Sequence, residues 1–463
     1  MVLEISQETF DAAVKENIEL LGLTQEEAVD ETVKQFEAQG VDLSKIVKET
    51  LSDQETCEIT QAIKQLQQFH KSRDSPEDVI TTLNVIKSEC ERGIQHKVLA
   101  GKAGAYGILL DTYSIFTEKN VRLACLRALV ALMTKQPDLL DPRGIDFIMS
   151  NLNNNTLDLE LQRLTLKWTK ECCVMHEVNR QKIFDAHILK NLKEFLNEKS
   201  PVELIRECLG VCRALVLDDD VRVEFGRAHE HAKVIAGETL DSIVNLMIRF
   251  KRDEQIVYDL VLTLTSLLVR TEFCKKVEES GGLDLLKSVM ETFQGNEKVI
   301  RQCFKLIKAL AGNDEVKSRL IQSGYGPVIC HALHSNVVSA ATATAGLSCI
   351  AALTLRNPHN SKALFEEGVA EVIVEVMSVH SDQKQVQKTA SWAIRNMVSR
   401  SRYQTKKFLD LGVEDILQED LKKFRDIEYD IKASLRDLGC KVQLKEEWTG
   451  KGGALTSGVL MDD

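Results

Sequence analysis

Along residues 365–377, FEEGVAEVIVEVM, the apolar positions Val369, Val372, Ile373, Val376 and Met377 fall at i, i+3, i+4, i+7 and i+8. That spacing predicts one face of an amphipathic helix, although valine and isoleucine taken singly favour strands. Gly368 stands just before this face, and the arrangement recurs along the chain. Glycine opens similar stretches at Gly104, Gly144, Gly281, Gly324 and Gly412, and His187 and Thr239 occupy the same slot in two weaker copies. Successive anchors are 40, 43, 52, 42, 43, 44 and 44 residues apart, so the long interval marks an insertion near residues 217–236.

Other positions share this register. An apolar residue lies four positions before five anchors: Ile183, Val277, Leu320, Leu364 and Phe408. Polar turns such as HEVNRQK, AGNDEVK and RNPHNSK come earlier, each preceded by a longer apolar helical stretch such as VIRQCFKLIKALA or VQKTASWAIRNMV. Each unit therefore reads as a short helix, a hinge, a middle helix and a long buried helix. Glycine suits the hinge because it accepts positive φ and lets two helices approach closely. A period in the low forties with this pattern marks armadillo or HEAT repeats, and the one-residue hinge favours the three-helix armadillo unit. The expected fold is all-α: a right-handed armadillo-repeat superhelix of about seven to eight repeats, in which stacked neighbours share one core and long helices line the concave side.

The predicted array covers residues 57–445, with EITQAIKQLQQF supplying part of a cap. Before it, residues 1–56 hold two acidic helical segments, with Ser6 or Thr24 as N-caps and Gly40 as a stop. After it, residues 446–463 read as a flexible tail rich in small residues. Composition agrees with an all-helical chain, since only 5% of the 463 residues are aromatic and only 6 are proline. The net charge of -11 is local. Residues 1–60 carry 15 acidic and 4 basic side chains, whereas the remaining 55 acidic residues are matched by 55 basic ones. No basic stripe suggests a nucleic-acid partner. No run approaches the ~18–20 apolar residues that cross a bilayer.

The 12 cysteines include no CxxC pair, and Cys125, Cys208, Cys212, Cys303 and Cys349 sit in apolar helical patterns. The first residues lack the basic and apolar regions of a secretory signal. Reduced core thiols in an intracellular protein, cytosolic or nuclear, are the expectation.

Several phrases together carry a more specific likeness: QETFDAAVKENIE, EEAV with QFEAQGVDLS, LDDDVRVEFGRAHEHAK, AGNDEVK and LRDLGCKVQLKEEWTG. Over about residues 4–450 the chain resembles the armadillo repeat-containing protein 6 family. The resemblance implies an armadillo solenoid with no established catalytic activity, and it says less about molecular role than about fold.

The sequence completes none of the familiar catalytic motifs. HEVNR and HEHAK lack the second histidine of HExxH, GKAGAYG follows no strand, and neither a Walker lysine motif nor GxSxG occurs. In the insertion, Asp218, Asp219, Asp220, His229 and His231 are metal-ligand types, but helical residues two apart point about 200° from each other. A capping aspartate cluster with a polar loop is the plainer reading, and a partner-contacting protrusion is the alternative.

SWAIRNM places Trp392 and Asn396 four residues apart on a long helix, like one rung of the WxxxN ladder of importin-α. An amide can pair with an extended backbone and an indole attracts cations. The corresponding slots in the two preceding units hold Phe304 with Lys308, and Ser348 with Ala352. With one rung present, an import adaptor is disfavoured, and an enzyme more so. The reading is a non-catalytic, monomeric scaffold without a cofactor or metal. It binds a partner protein or extended peptide, with Phe304, Lys308, Trp392 and Asn396 along its groove.

Overall fold

The computed structural model describes residues 3–43, 46–48, 53–72, 75–154, 158–445 and 454–457. Among them are 26 α-helices, short 3-10 turns and two small two-stranded sheets. The chain divides into two compact units, residues 1–239 and 240–463.

The N-terminal unit opens with strand β1 (Leu3–Glu4), helices α1 (Gln7–Leu21) and α2 (Gln25–Ala38), and strand β2 (Val41–Asp42), which pairs parallel with β1. Both predicted N-caps form: Ser6 Oγ accepts from the Thr9 amide, and Thr24 with Glu27 closes a reciprocal capping box. Gly40 adopts φ 75° just beyond α2. Ile5, Phe10, Val14, Ala28, Val41, Leu43 and Ile46 form a small core of their own. The acidic module also meets basic side chains of the repeats that follow. Asp11 pairs with Lys102 at 3.1 Å, and Glu4 with Lys135 at 3.7 Å. This module is thus a folded element set against the first repeats, and part of its acidity is answered within the chain.

Helices α3 (Asp53–Ser72) and α4 (Pro76–Arg92) form an incomplete first unit on which α6 (Ala105–Ile115) and α7 (Lys119–Met133) pack. The short helix α5 (Ile94–Lys102) precedes α6, with Gly104 between them at φ 84°. In the next repeat the short helix shrinks to a 3-10 turn, Pro137–Leu139, before α8 (Pro142–Asn153) and α9 (Leu159–Cys173). Gly144 is not a hinge there. It lies inside α8, whose cap is Asp141, and a Cβ at this position would overlap the Tyr106 hydroxyl. Then come α10 (Glu177–Asp185), α11 (Ile188–Phe195) and α12 (Val202–Ala214). His187 does serve as the hinge, with φ 66°.

Helix α13 (Ala228–Phe250) contains the boundary between the units. It corrects the expectation of a hinge at Thr239. The helix runs straight through that residue, which is buried and bonds its Oγ1 to the Ile235 carbonyl. A threonine on a helix looks the same in sequence as one substituting for a hinge glycine.

The C-terminal unit continues with α14 (Glu254–Leu267) and then four regular triplets. They are α15 (Thr271–Glu279), α16 (Gly282–Thr292) and α17 (Glu297–Leu310); α18 (Asp314–Gln322), α19 (Tyr325–Ser335) and α20 (Ala340–Thr354); α21 (Pro358–Glu366), α22 (Val369–Val379) and α23 (Lys384–Val398); α24 (Thr405–Asp410), α25 (Val413–Lys423) and α26 (Glu428–Asp437). Gly281, Gly324, Gly368 and Gly412 each take φ between 76° and 83° at the join of the short and middle helices. An L side chain there would cost about 1–2 kcal/mol. The long helices pack in series, α14 on α17, α17 on α20, α20 on α23 and α23 on α26. Val369, Ile373, Val376 and Met377 are buried, as the helical period of residues 365–377 requires.

The predicted flexible tail needs one correction. Strand β4 (Ala454–Ser457) pairs antiparallel with β3 (Val442–Lys445), so residues 454–457 of that segment are strand. The rest of residues 446–463 lies outside the described residues. All eleven cysteines whose side chains are described are buried and unbridged. Burial pushes the thiols of Cys90 and Cys330 up to about 12, which makes them poor nucleophiles. Among the described residues no helix is long and apolar enough to cross a membrane.

Candidate functional site

Three long helices of the C-terminal unit meet at a concavity of about 270 Å³. Its lining comes from α17 (Lys308), α20 (Ser348, Ala351, Ala352), the turn after it (Leu355) and α23 (Trp392, Arg395, Asn396). Repeat-by-repeat counting therefore brings five of its slots together: Lys308, Ser348, Ala352, Trp392 and Asn396. It fails for Phe304, which is fully buried. The ring sits under α20, close to the open side of Gly346, where a Cβ would come within 3.2 Å of Phe304 Cε2. Phe304 is a core residue and cannot touch a ligand in the groove. Counting does not reach Ala351, Leu355 or Arg395. Arg395 stands one helical turn from Trp392, a spacing that could have flagged it.

The small side chains of α20 set the depth of the concavity. Ser348, Ala351 and Ala352 form a low floor between taller walls on α17 and α23. Trp392 is 37% exposed, so it is neither packed away between helices nor free. Its indole N–H donates to Asp430 Oδ1 at 2.8 Å, and Lys388 Nζ lies 5.3 Å from the ring centroid. Asn396 is partly committed too, because its Nδ2 donates to the Ala351 carbonyl at 2.9 Å. One amide hydrogen and the amide oxygen are left for a ligand. The Trp392–Asn396 rung thus has a structural share, tying α23 to α26 and to α20.

The second arrangement is the insertion in the N-terminal unit. Residues 215–227 connect α12 to α13 and are held by a buried ionic clamp. Arg180, only 1% exposed, sends Nε to Glu177 Oε2 at 2.9 Å and Nη1 to Asp219 Oδ1 at 2.6 Å. Glu177 Oε1 accepts from the Arg227 amide at 2.6 Å. Asp219 accepts from the Met175 amide and Asp220 from the Glu177 amide, so both bind the start of α10 rather than the helix that follows them. Arg222 closes the set, bonding Asp220 and Asp138 at 2.9 and 2.7 Å. Burial pushes the Asp220 carboxyl up, but Arg222 and the Glu177 amide outweigh it and hold it below its ordinary value.

The aspartates thus do cap a helix, as the sequence suggested, but across the repeat. His231 is buried, with Nδ1 facing the Leu215 carbonyl at 3.1 Å and its ring stacked on Phe184. Burial holds its pKa below the ordinary value. Among the described residues no group of three side chains is arranged to hold a metal ion.

Stacked helical triplets with left-handed hinges and long helices in series define an armadillo-repeat protein. Two family models cover nearly the whole chain. One, described as ARMC6, matches residues 59–457, and the other, the armadillo repeat-containing protein 6 N-terminal domain, matches residues 3–67. The chain is 41% identical over 458 residues to the Drosophila melanogaster armadillo repeat-containing protein 6 homolog, covering 97% of this chain and 98% of that protein. It is 35% identical over 470 residues to armadillo repeat-containing protein 6 of Homo sapiens, covering 97% and 94%. The chain therefore belongs to the armadillo repeat-containing protein 6 family. Among solved structures, an engineered protein matches with a TM-score of 0.67 at 15% identity, over 95% of this chain and 100% of that one, a likeness of fold.

Proposed function

We propose that the chain is a non-catalytic scaffold that binds an extended segment of a partner protein across α17, α20 and α23. The observation that carries this reading is the concavity itself. Successive long helices contribute a small-residue floor, a half-exposed indole and an amide with unused hydrogen-bonding groups. An extended backbone needs such donors and acceptors along its length, and an aromatic beside them supplies an anchor.

Ala352→Trp tests the reading. Ala352 is half-buried on the floor, so the larger side chain would fill the concavity rather than the core. Peptides selected from a random library on the full chain should lose binding to this variant by at least about tenfold, or about 1.4 kcal/mol. The melting temperature should stay within a degree or so of the parent. Undiminished binding would place the partner surface elsewhere.

A further inference from the structure

We propose that the segment accepted by this groove is acidic, an extended peptide bearing carboxylates with an apolar residue against Leu355 and the Trp392 ring. This rests on the groove reading above and goes beyond it by fixing the charge of the partner. The eight residues lining the concavity include two cations, Lys308 and Arg395, and no carboxylate. Lys308 is exposed and has no carboxylate partner among the described residues. Lys305, one turn earlier on the same helix, is also exposed and likewise lacks one. Between these lysines and α23 lies α20, AATATAGLSCIAALT, which carries no charged residue to neutralise them.

On the opposite wall the nearby acids are already engaged. Asp430 accepts from the Trp392 indole and lies 3.7 Å from Lys388, and Asp437 pairs with Arg395 Nε at 3.2 Å. Arg395 is left with further N–H donors on its fork. Lys388 of the chain itself already lies over one face of the indole. A basic segment would therefore meet Lys388, Arg395, Lys308 and Lys305, with no carboxylate among the residues that line the concavity to receive it. An acidic one would find several unspent donors. Each exposed pair adds little on its own. The consequence is discrimination between partners and faster encounter more than raw affinity.

The test uses the full chain and three fluorescein-labelled peptides of roughly twelve residues, long enough in extended form to cross the three helices. Each has one central leucine and serines. One carries aspartates, one lysines, and the third neither. At low ionic strength the aspartate peptide should bind at least about tenfold more tightly than the lysine peptide by fluorescence anisotropy. The double variant Lys305→Glu, Lys308→Glu, with an unchanged thermal melt because both side chains are exposed, should reverse that order. Ala352→Trp should weaken binding of the aspartate peptide.

A lysine peptide that binds as well or better, or an order unmoved by the charge reversal, overturns the acidic assignment. If the neutral peptide binds as tightly as the acidic one and Ala352→Trp blocks both, the groove stands and its charge preference is wrong. If Ala352→Trp leaves aspartate-peptide binding intact, or none of the three peptides binds, the groove reading fails and takes this inference with it.

Discussion

In the C-terminal unit, between Thr271 and Asp437, each short helix turns into its middle helix through one left-handed glycine. The turns leading into α18 and α21 are brief, and uncharged side chains tie them down. Asn313 accepts two amides at the start of α18, and Asn360 donates to the Leu353 and Lys317 carbonyls. The repeat around 215–227 is built otherwise. Its hinge is absent because α13 runs through Thr239, and its longer turn is pinned by Arg180, Glu177, Asp219, Asp220 and Arg222. Asn179 repeats the Asn360 device there, bonding the Cys172 and Pro137 carbonyls. The lesson is that one repeat geometry can be held by backbone conformation or by buried charge. The two carry different risks. A misplaced Cβ at a hinge costs a little, whereas an unpartnered buried charge costs much more.

The largest expected effect follows from that asymmetry. Arg180→Met leaves Glu177 and Asp219 without their cation and should destabilise the protein by about 3–5 kcal/mol, read by chemical denaturation. A loss comparable to an exposed ion pair would show that the clamp is not a stabilising unit. Acid should weaken the same repeat. Glu177 and Asp220 have folded pKa values below their unfolded ones. Their contribution is therefore present above the unfolded carboxylate range, about 4, and is lost as the pH falls through the depressed folded values.

Asp420 is the opposite case. It is 2% exposed, its Oδ2 has no hydrogen-bond partner among the described residues, and burial pushes its carboxyl up to about 6. Because the folded pKa is raised, the group costs stability at neutral pH, and that cost shrinks as the pH falls through about 6 toward the unfolded value. Asp420→Asn should stabilise the protein by roughly 1–2 kcal/mol at pH 7.5 and by nearly nothing at pH 4. A pH-independent gain would point to some other cause.

Smaller effects separate hinge from helix. Gly368→Ala should cost about 1–2 kcal/mol because its φ is 83°. Thr239→Gly should also destabilise, by roughly 1 kcal/mol, since it places glycine inside a helix. If Thr239→Gly stabilised the protein, a hinge would exist at that position after all.

Much of this architecture is legible in the sequence. The glycines at 104, 281, 324, 368 and 412 are hinges, and His187 takes the same conformation in their place. Gly144 misleads because Asp141 and Pro142 start a helix before it, so its small size serves close packing with Tyr106. Phe304 misleads because repeat counting fixes a slot on the helix but not whether a large ring in that slot turns inward. The clamp is hardest to read. Arg180 and Glu177 stand some forty residues before the aspartates they meet, and no local period links them. Within the groove, Lys308, Trp392 and Asn396 are brought together as counting suggested, but the bonds from Trp392 to Asp430 and from Asn396 to Ala351 depend on tertiary contacts alone.

The claim that the long-helix face of the C-terminal unit receives an extended partner is tested most directly by site-specific photocrosslinking. A photoreactive residue would replace Ala352 on the groove floor in one protein and Val379, exposed at the end of the middle helix α22, in another. The account predicts that a library-selected peptide crosslinks at position 352 and not at 379, and that excess unlabelled peptide competes the product away. Crosslinking at 379 with none at 352 would contradict it.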